Sequence, residues 1–266
     1  MKYKRSLIPY YLQMRLTFLF FLSFLASLSL KAETCIHTYS QNDRIHISRI
    51  NLACKNIELV ASQPKDQGLT VSAFAEKYQT RVAINGSFFR KDGSPIGMNI
   101  SQYRPWKNAR DTRSRSFLAC TKDRKCQIDP KNHSAKINPK WQFAIAGWHY
   151  YDHKSKKFEC APQDKIGCTQ SIFTDKHPRT MLGLDESQNL LYLVVVEGRQ
   201  FTYRGMTLDE LADLATELKL TKAINLDGGG SSTIVIDRQR LSALPLLQGN
   251  ERKVGNHFGV RLGQLK

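Results

Sequence analysis

Acidic residues are scarce in this chain: 23 Asp and Glu stand against 40 Lys and Arg among 266 residues, a formal charge of +17. A surplus of that size concentrates anionic partners, whether phosphodiesters, acidic glycans, nucleic acid or anionic membrane, and fixes a sign rather than a molecule. No C-x-x-C pair occurs and the seven histidines are scattered without ligand spacing, which argues against a zinc site. No Gly-Lys-Ser/Thr follows the glycine run at 228–230, and no G-x-S-x-G is formed around it, so neither a P-loop nor a nucleophile elbow is present. A recognisable nucleic-acid module is missing, as is an interleaved basic and aromatic stripe; nucleic acid is therefore not expected as a partner.

A membrane-length apolar run is also lacking. Leu16–Leu30 is apolar but only fifteen residues long, against the roughly 20 that a span needs, follows Arg15, and ends near Ala32. This pattern predicts a secretory signal over residues 1–32, a single domain over 33–266, no stable span after cleavage, and a secreted or periplasmic location. Met14, directly before Arg15, would itself begin an ordinary signal, which leaves residues 1–13 as an upstream extension. Five basic residues precede Glu33; removing them from the 40 leaves 35 against 23 acidic, a surplus of 12 on the mature part.

What is present is an ordinary globular composition, 41% hydrophobic and 10% aromatic. All six cysteines follow the signal, an even count in a chain bound for an oxidising compartment, which predicts disulfides. Closeness in sequence favours Cys120–Cys126 and Cys160–Cys168, and elimination then leaves Cys35–Cys54.

Periodicity predicts early strands at 44–50 and 57–60, paired with each other, a helix over 70–78, and a strand at 81–84 ending in the turn Asn85-Gly86-Ser87. The charged middle third, 99–176, reads as long crosslinked loops with short strands at 116–119 and 142–145. Its aromatics Trp141, Trp148, Tyr150 and Tyr151 are either core or the lining of a sugar site. Strands at 180–184 and 190–196 form a hairpin. Thr207 and Glu210 make a capping box for a helix reaching Leu218. Strands at 222–226, 232–236 and 257–262 complete the fold class, α+β, with a mixed, largely antiparallel sheet, at least two packed helices and disulfide-crosslinked loops. A short echo, Ala83-Ile84-Asn85 against Ala223-Ile224-Asn225, suggests two polar turns at the same end of one sheet.

Three consecutive glycines after Asp227 let backbone amides approach a ligand closely. Arg179 offers a planar fork of donors matched to paired phosphate oxygens. Taken in order, Asn85-Gly86-Ser87-Phe88-Phe89, Arg179-Thr180, Gly205-Met206-Thr207-Leu208 with Glu210, and Ala223 through Ser232 resemble the motif series of the phosphodiester glycosidase family. The resemblance covers about Thr70 to Leu262. It implies hydrolysis of the bond between a sugar's anomeric carbon and a phosphodiester, with a phosphorylated glycan or sugar-phosphate diester as substrate. Ser87, Met181 and the bulky His257-Phe258 after Asn256 depart from the family pattern and bear on sugar specificity more than on chemistry.

Asp227 is then the candidate carboxylate, as base toward water, as nucleophile, or as stabiliser of oxocarbenium charge. Glu197 is the second carboxylate, with a strand-end ion pair to Arg199 as the equal alternative, and Arg179 is the phosphate clamp. Asn85, Gly86, Thr180, Gly228, Gly229, Gly230, Ser231 and Asn256 are the candidate substrate-binding residues. Metal dependence stays open: the sequence names no certain cofactor, and a carboxylate beside phosphate is equally able to hold a divalent cation such as Mg²⁺ or Ca²⁺. The rival reading is a non-catalytic module that binds phosphorylated or anionic glycans; Asp227 weighs against it, because a binder of anions gains nothing from a carboxylate aimed at its ligand.

Overall fold

Two adjacent strands whose residues are buried at every position define the centre of the molecule. A computed structural model describes residues 34–107, 116–129, 136–159 and 171–263. In chain order the first elements are β1 (Ile36–Gln41), β2 (Ile45–Asn51), β3 (Ile57–Ala61), α1 (Val71–Tyr78) and β4 (Val82–Asn85). The middle third contributes β5 (Ile100–Ser101), β6 (Arg104–Pro105), β7 (Phe117–Thr121), β8 (Cys126–Asp129), β9 (Trp141–Ala146), β10 (Tyr150–Asp152), β11 (Lys157–Glu159) and the short α2 (Ser171–Thr174). The last third adds β12 (Arg179–Asp185), β13 (Leu190–Val196), α3 (Leu208–Glu217), β14 (Lys222–Asn225), β15 (Ile234–Ile236), β16 (Gln239–Arg240) and β17 (His257–Leu262).

These strands form a seven-stranded sheet, β1-β2-β13-β12-β14-β10-β11, and two five-stranded sheets, β16-β15-β4-β17-β3 and β6-β5-β9-β7-β8. The strand pairings are antiparallel throughout, so the α+β expectation holds.

β12 and β13 are apolar on both faces because both faces are covered. Leu191, Leu193 and Val195 join Leu182 and Leu184 against Val82, Ile84, Phe258 and Val260 of the second sheet and Leu118, Phe143 and Ile145 of the third. On the other face Tyr192, Val194 and Val196 pack with Met181 against Leu208, Leu211, Ala212, Leu214 and Ala215 of α3. α1 seals the outer side of the second sheet, with Val71, Phe74 and Ala75 against Ala83 and Val235. From Cys35 onward the described residues pack as one compact unit.

Two sequence expectations are corrected here. β2 and β3 do not pair: β2 lies between β1 and β13, whereas β3 hydrogen-bonds to the C-terminal β17. Proximity along the chain suggested a hairpin, but β1, whose burial is patchy, takes that place beside β2. The middle third is more than loops, since β5 to β9 form a sheet with its own apolar cluster of Met98, Ile100, Phe117, Ala119, Trp141, Ala144 and Ala146. Trp141 and Tyr151 are core.

Disulfides Cys35–Cys54 and Cys120–Cys126 are present. The second joins residues directly opposite in the β7–β8 hairpin. Cys160–Cys168 and the signal segment lie outside the described residues. No helix among the described residues is long and apolar enough to cross a membrane.

The capping box of α3 is complete: Glu210 N donates to Thr207 Oγ1 at 3.1 Å, and Thr207 N donates to Glu210 Oε2 at 2.9 Å. Because this cap starts the helix that covers the central sheet, Thr207→Ala is expected to lower stability by about 1 kcal/mol in denaturant unfolding, with an unchanged slope.

Candidate active site

The ends of β4 and β14 and the start of β12 meet at one point, from two different sheets rather than from one. Asn85, fully buried, joins them. Its Nδ2 donates to the Asp227 carbonyl at 2.7 Å, while its Oδ1 accepts from Thr180 Oγ1 at 2.8 Å and from Thr233 N at 3.2 Å. Asp227 N donates to the Gly86 carbonyl at 3.1 Å. The two echoing strand ends are thus clasped to each other, and Asp227 is fixed by its own backbone on both sides.

Gly86 and Asn256 support this clasp from behind. Gly86 N donates to the Asn256 carbonyl at 2.9 Å. Asn256 Oδ1 accepts from Ser87 N at 2.7 Å, and its Nδ2 donates to Asn99 Oδ1 at 2.7 Å. Asn85, Gly86, Thr180 and Asn256 therefore spend their polar groups on one another and on the frame, and none of them lines the cavity in front of it.

That cavity, of about 200 Å³, is walled by Asp227, the 228–230 glycines, Arg179, Arg199 and Arg252, with Phe88, His177 and Asn225 completing it. Gly228 is required by contact, since a Cβ there would stand 2.8 Å from the Pro178 carbonyl oxygen. Gly229 is required by conformation, with φ at +60°, and by the Arg199 guanidinium, 2.9 Å from where a Cβ would be. Ser231, also buried, sits just behind the loop, its hydroxyl accepting from Arg252 NH1 at 3.4 Å.

Asp227 is the one carboxylate lining the cavity among the described residues. Burial pushes its pKa up to about 6, against the pull of a Ser231 hydrogen bond, the Gly228 amide at 3.0 Å, and the charges of Arg252 and Arg199. Arg179, only 3% exposed, is gripped by the Met206 and Asp175 carbonyls, each at 2.9 Å. Burial and the neighbouring Arg199 lower its pKa to about 10, so it stays charged at neutral pH. Arg199 and Arg252 are exposed at the mouth and form no ion pair with a carboxylate among the described residues. Three cations around one carboxylate leave the cavity with an excess of positive charge, the condition for holding an anion.

His177 leans on the same group. Its Nδ1 lies 3.5 Å from Arg199 NH2, and burial, together with Arg179 and Arg199, lowers its pKa below the ordinary histidine value.

Glu197 does not reach the cavity. Its carboxylate accepts from His46 Nε2 at 2.9 Å, Arg44 NH1 at 3.2 Å and Ala243 N at 2.6 Å. Burial raises its pKa, but these partners outweigh it and hold the carboxyl below its ordinary value. The ion pair is therefore with Arg44 and not with Arg199, and His46 adds a hydrogen bond. After Glu197, Gly198 and the left-handed Arg199, at φ +55°, turn the chain so that the arginine is what arrives at the site. Arg199 and Arg252 carry no sequence signal of their own, being single arginines in irregular loops. His177 was visible only as a neighbour of Arg179. Among the described residues no group of three or more His, Cys, Asp or Glu converges on a metal-sized space.

A carboxyl whose folded pKa lies above its unfolded one costs stability where both states are ionised and costs nothing where both are protonated. Asp227→Asn is therefore expected to melt higher than the wild type above pH 6, with the difference closing as pH falls below about 4. A constant difference across that range in a melting series would contradict the raised pKa of this carboxyl.

The family model for phosphodiester glycosidase matches residues 78–261, more than half of the chain. The mouse and human N-acetylglucosamine-1-phosphodiester alpha-N-acetylglucosaminidases are each 27% identical over 177 residues, 63% of this chain and 34% of theirs. A prophage-derived protein of Bacillus subtilis, YomE, is 26% identical over 192 residues, 70% of this chain and 28% of its own. The chain thus spans about a third of the length of these relatives. Among solved structures, the zebrafish N-acetylglucosamine-1-phosphodiester alpha-N-acetylglucosaminidase catalytic domain, auto-inhibited by its pro-peptide, superposes with a TM-score of 0.65 at 21% identity, over 85% of this chain and 81% of that one. A hypothetical protein from Synechocystis follows at 0.56 and 15%, over 85% and 61%. With its family model spanning the clasp, the glycine loop and the arginines of the cavity, this chain belongs to the phosphodiester glycosidase family.

Proposed function

We propose that this chain is an extracytoplasmic hydrolase that cleaves the bond between a sugar's anomeric carbon and a phosphodiester oxygen. The observation that carries the reading is the pairing of one carboxylate, with its pKa near 6, and three arginines around a glycine loop in a single small cavity. The curated mammalian relatives are named for N-acetylglucosamine joined through a 1-phosphodiester, and that sugar is the first to try here. The apolar segment before Ala32 and the paired cysteines support an extracytoplasmic location.

The chemistry suits such a site. In the reaction the C1–O bond breaks, its electron pair leaves on the phosphate oxygen, and water supplies the hydroxyl that completes C1. The departing phosphate monoester has a second pKa of about 6, so it leaves without the strong general acid that a sugar alkoxide needs. One carboxylate is then sufficient. Asp227, largely ionised at neutral pH, takes the proton of the attacking water or faces the positive charge that develops at C1. Arg179, Arg199 and Arg252 stabilise the negative charge that grows on the leaving phosphate. A carboxylate near phosphate also leaves room for a divalent cation, and a chelator arm addresses that point.

The test is sugar release from a panel of sugar-1-phosphodiesters by the oxidised protein, with and without chelator. Asp227→Asn is expected to lower kcat by roughly 10² to 10⁴-fold without loss of fold. Arg179→Ala is expected to lower kcat/KM, and wild-type kcat/KM to fall about tenfold per pH unit below about pH 6. A protein that cleaves none of the diesters yet still binds phosphorylated glycans would instead be a binding module.

A further inference from the structure

We infer that Asn225 reads the substituent on the sugar carbon next to the anomeric centre, its Oδ1 accepting a hydrogen bond from an N–H or O–H donor there. The inference rests on the glycosidase reading for the identity of the sugar, but its basis is a polar atom without a partner.

Asn225 ends β14, beside Met181 of β12, and lines the same cavity as Asp227, two residues on. Its backbone is fully engaged, donating to the His149 carbonyl at 3.0 Å and accepting from Trp148 N at 2.8 Å. The residue is 1% exposed, and its Oδ1 has no hydrogen-bond partner among the described residues. A buried acceptor left this way is rare and calls for a reason, most simply a group or a water that arrives from the cavity.

The comparison with Asn85 sharpens the point. The two asparagines occupy matching places in the echoed strands, yet Asn85 engages both ends of its amide within the protein. Asn99 and Asn256 likewise find partners within the frame. Among these four asparagines the orphan acceptor belongs to the one that lines the cavity.

The chemistry of the substrate says what fills it. An ionised phosphodiester carries acceptors only, so it matches the arginines and cannot satisfy Oδ1. The partner is a donor on the sugar. Of the two ring neighbours of the anomeric carbon, the ring oxygen is again only an acceptor. The other, C2, bears a hydroxyl or an acylamino N–H. Asn225, next to the carboxylate that acts at C1, is placed for that position. Phe88, edge-on to Trp148 with ring centroids 5.0 Å apart, gives the same cavity an apolar wall for the rest of the ring.

The experiment is titration calorimetry of the full chain in the Asp227→Asn background, which prevents turnover, with N-acetylglucosamine 1-phosphate, glucose 1-phosphate, 2-deoxyglucose 1-phosphate and inorganic phosphate. The 2-deoxy sugar is expected to bind about tenfold more weakly than the better of the other two. Adding Asn225→Ala should bring the three sugars to within about twofold while leaving inorganic phosphate unchanged. Asn225→Asp, which keeps the acceptor and the shape, should retain the ranking of the three sugars at lower affinity for all. The stronger arm of the first pair tells hydroxyl from acylamino donor. Equal binding of the 2-deoxy sugar, no binding of any sugar phosphate, or an Asn225→Ala effect that falls equally on inorganic phosphate would overturn the inference. Retained discrimination in a protein that cleaves no diester would leave the recognition standing and remove the hydrolase reading alone.

Discussion

Asn85 is the constraint on which the rest depends. Its amide holds the Asp227 carbonyl, the Thr180 hydroxyl and the Thr233 amide at once, in the interior where β4 of one sheet meets β12 and β14 of another. Each buried polar group left without its partner costs about 1–3 kcal/mol, and removing this one side chain would strand three. With domain stability of only about 5–15 kcal/mol, that is a large fraction of the whole. The clasp therefore does two things together: it fastens the sheets and it anchors the backbone of Asp227 at the cavity.

Everything in front of the clasp is electrostatics in a small volume. Asp227 is driven toward the neutral form by burial and back toward the ionised form by Ser231, the Gly228 amide and the arginines, and settles near pH 6. The glycine loop makes this balance feasible, because side chains at 228 or 229 would push away the Pro178 backbone or the Arg199 guanidinium that define the walls. Arg179 is rigid and buried, whereas Arg199 and Arg252 stand at the solvent edge. The first is suited to fixing an anion's position, and the other two to gathering it from solution.

Much of this was legible in the sequence, for physical reasons that differ from element to element. The β12–β13 hairpin declared itself by continuous apolar runs, and α3 by a capping box whose two bonds both form. Asp227 and the glycines were visible as a loop that only glycine permits, and Arg179 as an arginine opening a buried strand. The functional meaning of Asn85, Thr180 and Asn256 was not visible, because an asparagine that clasps backbone and one that binds sugar look alike in one dimension. Glu197 illustrates the same limit: its partners, Arg44 and His46, are about 150 residues away and come from β2 and the turn before it. Arg199 and Arg252 were unreadable, since irregular loops carry no period, and the pairing of β3 with the last strand was hidden by the whole length of the chain between them.

The central claim is that Asp227 is held, half-buried and titratable near neutrality, inside a cationic cavity. Carbon NMR titration of the Asp227 carboxyl, assigned by its loss in Asp227→Asn, measures this directly. The account predicts a midpoint near pH 6 that moves upward when inorganic phosphate occupies the cavity. A midpoint below pH 4, indifferent to phosphate, would contradict it.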